Sequence, residues 1–504
     1  MRSVTIAAFI IISAISNSVF AKTYYVKSNG NDSASGLSHA TAWKSVGKIN
    51  SFTFQTGDDV YFLAGNVWNK QLTPKWSGTA TNRATIGSYY MLNGKERIGV
   101  PANTTKPTFS GTYKNAGDPI SSPAAVPSNI YSAMIHVSAN YFTVQNLRVI
   151  NSSGQGIALA PRKSFHHAIF ENNVVDGTAI SSMLFGRTTY SNIMRNNKMR
   201  KCDLAWINKD ISTTWPMCNG AVGSRDNLIE GNYISESYGE GIVAFEPSAV
   251  NNVIRNNILV AVRSSAIYID NANNNLIENN MIIGEEAPSK YSMVTGRRNG
   301  SGLNIAVEDY ANSKSATGNI FRNNFVANVY NCISIGLDKD ARAKGLKVGG
   351  KFIGNTCVSN KADIRSWATS ANVESVEFAN NIFLDATDGE LACKTPDKMK
   401  FHHNYWNQTQ SVTHCNGTGD VKGGLTLKKT SGWGTISIAG IPTVTDFIPT
   451  SGSPVLNKGI AHNDLQKDFF GDLRTTRPDM GAVEVSSKNI VNIPTPTGLS
   501  LSIN

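Results

Sequence analysis

The chain has 504 residues, of which 16% are charged and 40% hydrophobic. That balance excludes intrinsic disorder, which requires low hydrophobicity and high net charge. Lys and Arg number 47 against 36 Asp and Glu, giving a net charge of +11. Such an excess favours an anionic partner, but no run of five or more basic residues occurs. The charge is therefore spread over a folded surface, which argues against nucleic acid and for an acidic polymer such as an anionic polysaccharide.

The N-terminus reads as an export signal. Arg2 supplies a positive start, Val4 to Ile15 is a short apolar stretch, and Val19-Phe20-Ala21 places small residues at both positions of a cleavage site. Cleavage is expected after Ala21, leaving a secreted or periplasmic protein. The apolar stretch is shorter than the ~20 residues that span a bilayer, and no later segment reaches that length, so no membrane span is expected. Residues 42–51 have an amphipathic helical pattern, with Trp43, Val46 and Ile49 on one side; a helix here would cap the N-terminal end.

From residue 142 onward one phrase recurs: an apolar residue, a spacer, Asn-Asn or a relative, then two more apolar residues. It reads FTVQNLRVI at 142–150, AIFENNVV at 168–175, VIRNNIL at 253–259 and EFANNIF at 377–383, and ten copies are found in all. Most are spaced by about 23 to 26 residues. A fixed period of this size marks a solenoid, and alternation of period two within each copy marks strands. The predicted fold is all-β: a right-handed parallel β-helix of about ten or more coils, expected over 22–408 as a monomer. Asn at the bend suits the left-handed backbone conformation, and its amide can bond the Asn of the next coil.

A second strand follows each phrase. Taking Ile157, Leu204, Ile242, Ile267, Leu303, Ile333, Ile364 and Leu391 as its inward column turns alternate neighbours outward. One outer face then carries Tyr268 and Asp270, with Asn304 one coil later and with Lys209 and Glu246 just beyond the strands of earlier coils. Three inserts, at 201–224, 284–301 and 336–350, interrupt the repeat beside these coils and are expected to wall a cleft. After about residue 408 the repeat fades; 409–485 reads as a C-terminal cap and 486–504 as a polar tail.

The six cysteines fit an oxidising compartment. Sequence alone allows 15 pairings. Closing short loops favours Cys202 with Cys218 and Cys393 with Cys415, which leaves Cys332 and Cys357. The absence of a CxxC pair disfavours a zinc ribbon.

The opening KTYYVKSNGNDSASGLS…AWKSVGKIN…GDDVYFLAGNVW resembles the start of secreted bacterial right-handed β-helix proteins of the pectate-lyase-like superfamily. The ending DFFGDLRTTRPDMGAVEV, at 468–485, is similar to their terminal motif. The resemblance implies a polysaccharide lyase first, then a glycoside hydrolase, an epimerase or a non-catalytic binder. The metal-binding and lyase signatures of the pectate and alginate families are not recognisable.

The candidate chemistry follows from the outer face. β-Elimination from a uronate needs a cation to neutralise the carboxylate, a base for the C5 proton and an acid for the leaving oxygen. Lys209, Glu246, Tyr268 and Asp270 are the candidate catalytic residues. Arg187, Arg225, Arg263, Asn304, Asp338 and Trp215 are candidates for holding the glycan. Glu246 and Asp270, one coil apart, would equally serve a hydrolase with paired carboxyls. Glu308 and Asp309 could hold Ca²⁺ between them; no other cofactor is indicated.

Overall fold

A computed structural model describes residues 21–113, 132–207, 217–285, 300–310, 312–387, 393–394, 398–407, 415–433 and 440–485. Residues 1–20 of the expected export signal, and the expected tail at 486–504, lie outside the described residues.

Each coil consists of three short strands that enter three parallel sheets in turn. One coil runs Phe142–Gln145, Arg148–Ser152 and Gln155–Leu159; the next runs Ile169–Glu171, Val174–Thr178 and Met183–Phe185. Among the described residues the first sheet has 14 strands, the second 13 and the third 10. Every ladder is parallel except that of the hairpin strand Lys95–Ile98, which runs antiparallel to Ala84–Leu92. The predicted β-helix is therefore the observed fold. Its lumen is filled by one inward column per sheet, and Phe321, Phe352, Phe378 and Phe401 stack coil on coil at 4.7–5.0 Å between ring centroids.

The Asn-Asn phrase divides its labour between two residues. The first Asn takes the left-handed conformation at the bend, with φ of 53–55° at Asn172, Asn196, Asn256, Asn279, Asn323 and Asn380. The second turns inward. From Asn173 through Asn197, Asn232, Asn257 and Asn280 to Asn404, each side-chain amide donates to the next at 2.9–3.1 Å. Each of these oxygens also accepts the preceding Asn backbone N–H, so buried amides are satisfied along the whole corner. Asp420 ends the ladder, accepting the Asn404 N–H at 2.8 Å. A second, shorter ladder links Asn192, Asn227, Asn252, Asn275 and Asn319.

The N-terminal end is covered by a helix at Val46–Ser51, shorter than the expected 42–51 because Ser45 caps it. Trp43, Val46 and Ile49 are buried beneath it, as their spacing implies. Trp43 itself bridges to Val26 rather than joining the helix. At the far end Val421–Lys422 adds a last strand to the second sheet. The following segment does not continue over that end. It turns back along the outer face of the second sheet, where Phe447, Met480 and Val483 pack against Phe325, Val358 and Ile382 as a core separate from the lumen.

The inward column of the third sheet differs from the expected one at three coils. Leu204 lies in a 3₁₀ turn, Leu204–Ile207, and the strand of that coil is Met217–Val222, with Asn219 in the column. An unrecognised strand, Met183–Phe185, fills the coil before it. At the other end Cys393, not Leu391, pairs with Ile364; Leu391 lies outside the described residues. Cys202–Cys218 and Cys332–Cys357 form disulfides, and all four cysteines are buried in the lumen core. Cys415 is also disulfide-bonded; the Cys393 side chain lies outside the described residues. Among the described residues no helix is long and apolar enough to cross a membrane.

Asp203, next to the first disulfide, is fully buried and accepts the Ser237 hydroxyl at 3.0 Å. Burial pushes its carboxyl up to about 8. A carboxyl raised in the folded state stabilises fully below its unfolded value of ~3.9, and that contribution is lost as pH rises through the folded value. Asp203→Asn should therefore melt close to the parent at pH 4 but several degrees above it at pH 9, Asn also suiting the φ of 62° there. Melting curves that stay parallel from pH 4 to pH 9 would refute this.

Candidate active site

On the third sheet, Tyr268 pairs with Asn304 and Asp270 with Ala306 on the following strand, and with Val243 and Phe245 on the preceding one. Because side chains alternate, Tyr268 and Asp270 both face outward while Ile267 and Ile269 fill the lumen. The strand after theirs, Ser301–Val307, runs into Glu308, Asp309 and Tyr310. There the chain leaves the sheet and folds back toward Asp270, held by Ser313, whose hydroxyl donates to the Glu308 carbonyl at 2.6 Å. The Asn271 amide fastens the same junction, donating to Asp270 Oδ1 and to the Glu308 carbonyl, each at 3.0 Å.

Two phenols converge on one carboxylate. The Tyr268 hydroxyl donates to Glu308 Oε1 and the Tyr310 hydroxyl to Glu308 Oε2, both at 2.6 Å. The Tyr310 hydroxyl also lies 3.4 Å from Asp270 Oδ2, which holds the Asp270 and Glu308 oxygens within about 6 Å of each other. Asp270 is 3% exposed. Burial, and then the charges of Glu308 and Asp338, hold its carboxyl well above the usual carboxylate range. Burial and the surrounding acids raise both phenols as well, so at neutral pH each keeps its proton. The group thus contains a carboxylic acid ready to give a proton and a carboxylate held by two donors.

A cavity of about 750 Å³ opens on this face, with Asp270 and Tyr310 at one end and His136 and Gln155 at the other. From the His136 strand to the Tyr268 strand is five coil steps, about 24 Å at ~4.8 Å per step. Glu240 and Arg187 also line it.

The structure brings together only part of the residues expected from sequence. Tyr268 and Asp270 stand side by side, and Glu308 joins them rather than Asp309. Asp309 points to Lys344, at 2.5 Å, so a cation between the two acids would have to displace that lysine. Among the described residues no three His, Cys, Asp or Glu side chains converge as a metal site. Glu246 stands one residue beyond the Asp270 partner, at φ 80°, and its carboxylate is taken by Arg187. Asp338 caps the helix Lys339–Ala343 and accepts the Ala341 and Asp309 N–H groups. Asn304 donates to Ser265 at 2.9 Å. Arg225 stacks on Tyr190 and pairs with Asp226, at the corner between the third and first sheets. Arg263 is half-buried where the second sheet turns into the third. Lys209 and Trp215 lie outside the described residues.

Tyr310 and Glu240 were not anticipated. Counting by two from the inward Ile242 turns Glu240 inward as well, so its place on the cavity wall carries no period-two signal. Tyr310 carries no such signal, since the period-two pattern ends at Val307.

Residues 133–326 match the family described as right handed beta helix region. No curated protein matches the chain in sequence. Among solved structures, pectate lyase Pel9A superposes with a TM-score of 0.51 at 16% identity, over 93% of this chain and 97% of that one. XylC in complex with xylose gives 0.54 at 11% identity, over 92% and 98%. The GH136 lacto-N-biosidase from Eubacterium ramulus gives 0.50 at 14% identity, over 80% and 67%. With a coil-by-coil ladder through the whole matched region and full-length superposition on such structures, the chain is a right-handed parallel β-helix.

Proposed function

We propose that this protein is an exported glycan-cleaving enzyme that works by hydrolysis, with Asp270 as the acid and Glu308 as the nucleophile. The observation that carries the reading is the pair itself: a buried Asp270 at the end of a cavity, its carboxyl held well above the usual range, and within about 6 Å of it a Glu308 hydrogen-bonded by two phenols. The β-helix is shared with a pectate lyase and a lacto-N-biosidase, and the disulfides fit an oxidising compartment.

An upper bound of about 6 Å, set by the two bonds through the Tyr310 hydroxyl, is short of the ~6.5–9.5 Å of inverting glycosidases and leaves room for the ~5–5.5 Å of retaining ones. Asp270 gives its proton to the glycosidic oxygen as a Glu308 oxygen bonds the anomeric carbon and the old C–O bond breaks. Asp270, now ionised, takes a proton from the water that displaces Glu308, which restores both groups. Tyr310 and Tyr268 keep Glu308 aligned by donating one hydrogen bond to each of its oxygens.

Elimination from a uronate is the second reading, supported by Arg162 and Arg187 in the cavity lining and by the net positive charge. It needs a base, and the raised phenols of Tyr268 and Tyr310 supply none at neutral pH. The two readings are separated by incubating the protein with neutral and acidic polysaccharides. New reducing ends that first appear with the substrate's anomeric configuration, seen by proton NMR, are expected. Ultraviolet absorbance of an unsaturated product would replace hydrolysis by elimination, and an inverted first product would remove Glu308 as nucleophile.

A further inference from the structure

The cavity that ends on Asp270 is floored differently from a groove made for a bare polyanion. Phe245 and then Val222 continue the outward column of Asp270 toward the N-terminus, and Val243 continues that of Tyr268. Met217, Val222 and Val243 form an apolar cluster outside the lumen, with Leu184 and Phe245 packed on it. Over three coils next to the carboxyl pair, about 14 Å at ~4.8 Å per coil, each coil offers an aliphatic or aromatic side chain to the cavity. Phe245 meets the Tyr310 ring edge-on at 5.2 Å, so this floor is continuous with the reacting groups.

The charges around it largely cancel. Arg187 is paired with Glu246, and burial lowers the His136 imidazole, which leaves it neutral at pH 7. Arg162 and Glu240 add one charge of each sign to the lining, while Asp270 is held toward its neutral form. The overall charge of +11 is thus not gathered in this chamber.

We infer that the cleft selects glycans carrying acyl groups, N-acetyl or O-acetyl, on the sugars that lie over Phe245, Val243 and Val222. Bare sugar hydroxyls would leave this floor without polar partners and gain little from it, whereas acyl methyls remove apolar surface from water on both sides. The inference deepens the glycan-cleaving reading and rests on it. A seated methyl is worth roughly four-fold in affinity, so two or three give about fifteen- to sixty-fold.

The test is binding calorimetry on the Asp270→Asn full chain, which separates recognition from turnover. The probes are fragments of acetylated xylan, acetylated glucomannan and acetylated pectin, each before and after alkaline removal of its ester groups, and chitin fragments against cellulose fragments. In at least one pair the acylated member should bind ten-fold or more tightly. Val243→Thr, close in shape, should reduce that ratio. Equal or tighter binding of the deacylated member in every pair, or no binding of any fragment, overturns the inference. A wild-type protein that cleaves glycans without acyl preference would sink the inference alone. Acyl-selective binding without turnover by the wild type would sink the hydrolytic reading alone.

Discussion

Asp270→Asn should lower turnover by roughly 10²- to 10⁴-fold, the share supplied by one positioned acid, and should at the same time raise stability at alkaline pH. The two effects have one cause. Asp270 is buried beside Glu308 and Asp338, and its carboxyl is raised. A raised carboxyl gives its full stability below the unfolded value and loses it as pH rises through the folded value. Wild-type activity should decline as pH rises through the folded value, because the proton that Asp270 must donate has gone. Asn carries no proton to lose, and its side-chain oxygen still accepts from Asn271, so the variant should melt higher than the parent at alkaline pH while remaining inactive. Structural damage would lower both. Glu308→Gly should be as inactive, but added azide should restore turnover by occupying the vacated place of the nucleophile. Full activity of Asp270→Asn, or a parallel loss of activity and stability, would place the chemistry elsewhere.

What made Tyr268 and Asp270 visible in the sequence was a count of two. Once Ile267 is set inward, residues 268 and 270 must face out, and no knowledge of packing is needed. The same count fails for their partners. Glu308 and Tyr310 lie past the end of a strand, where direction is decided by a local hydrogen bond from Ser313 rather than by pleating. Glu246 shows the failure in reverse: it also lies past a strand end, and its positive φ turns it to Arg187. Asp338 reads as an acidic residue in a charged insert, yet it sits where a short helix begins and is engaged by two backbone N–H groups.

The fold was legible because its repeat unit is held by a chemical requirement repeated at each coil. A left-handed bend favours Asn or Gly, and a buried amide favours another amide above it. Together they write Asn-Asn, or a relative such as Gly-Asn, into most turns between the first and second sheets. The third sheet carries no such marker. Its strands follow turns of variable length, where the inserts at 201–224 and 284–301 fall, so LAWIN at 204–208 imitates a strand that begins instead at Met217. The path of the C-terminal segment was hidden for another reason. Its partners on the second sheet, Phe325, Val358 and Ile382, occupy outward positions that an exposed sheet would fill with polar residues, and that excess was the unused signal.

That covering segment depends on one guanidinium, and Arg474→Met should be the most destabilising single change outside the lumen. Arg474 is almost completely buried among Glu484, Asp468 and Asp479. It donates to the Asp479 carbonyl at 2.9 Å, to the Gly481 carbonyl at 2.7 Å and to Asn323 on the solenoid at 2.9 Å. The three acids are themselves turn-formers: Asp468 accepts from Phe470, Asp472 and Glu484, Asp479 from Asn457 and Val485, and Glu484 from Asp479. Methionine would fill the space but leave these carboxyls buried without their cation, a loss of about 3–5 kcal/mol in comparable buried pairs. Arg474→Lys keeps the charge but not the planar fork that reaches three acceptors, so it should recover only part. Because the segment overlies the second sheet and the carboxyl pair stands on the third, folded Arg474→Met should retain the turnover of the parent. Its signature should be faster hydrogen exchange and proteolysis across 440–485, a lowered Tm, and aggregation through the bared apolar face of the second sheet. If Arg474→Met melts with the parent and its 440–485 segment stays protected, the guanidinium is not what holds the segment to the solenoid.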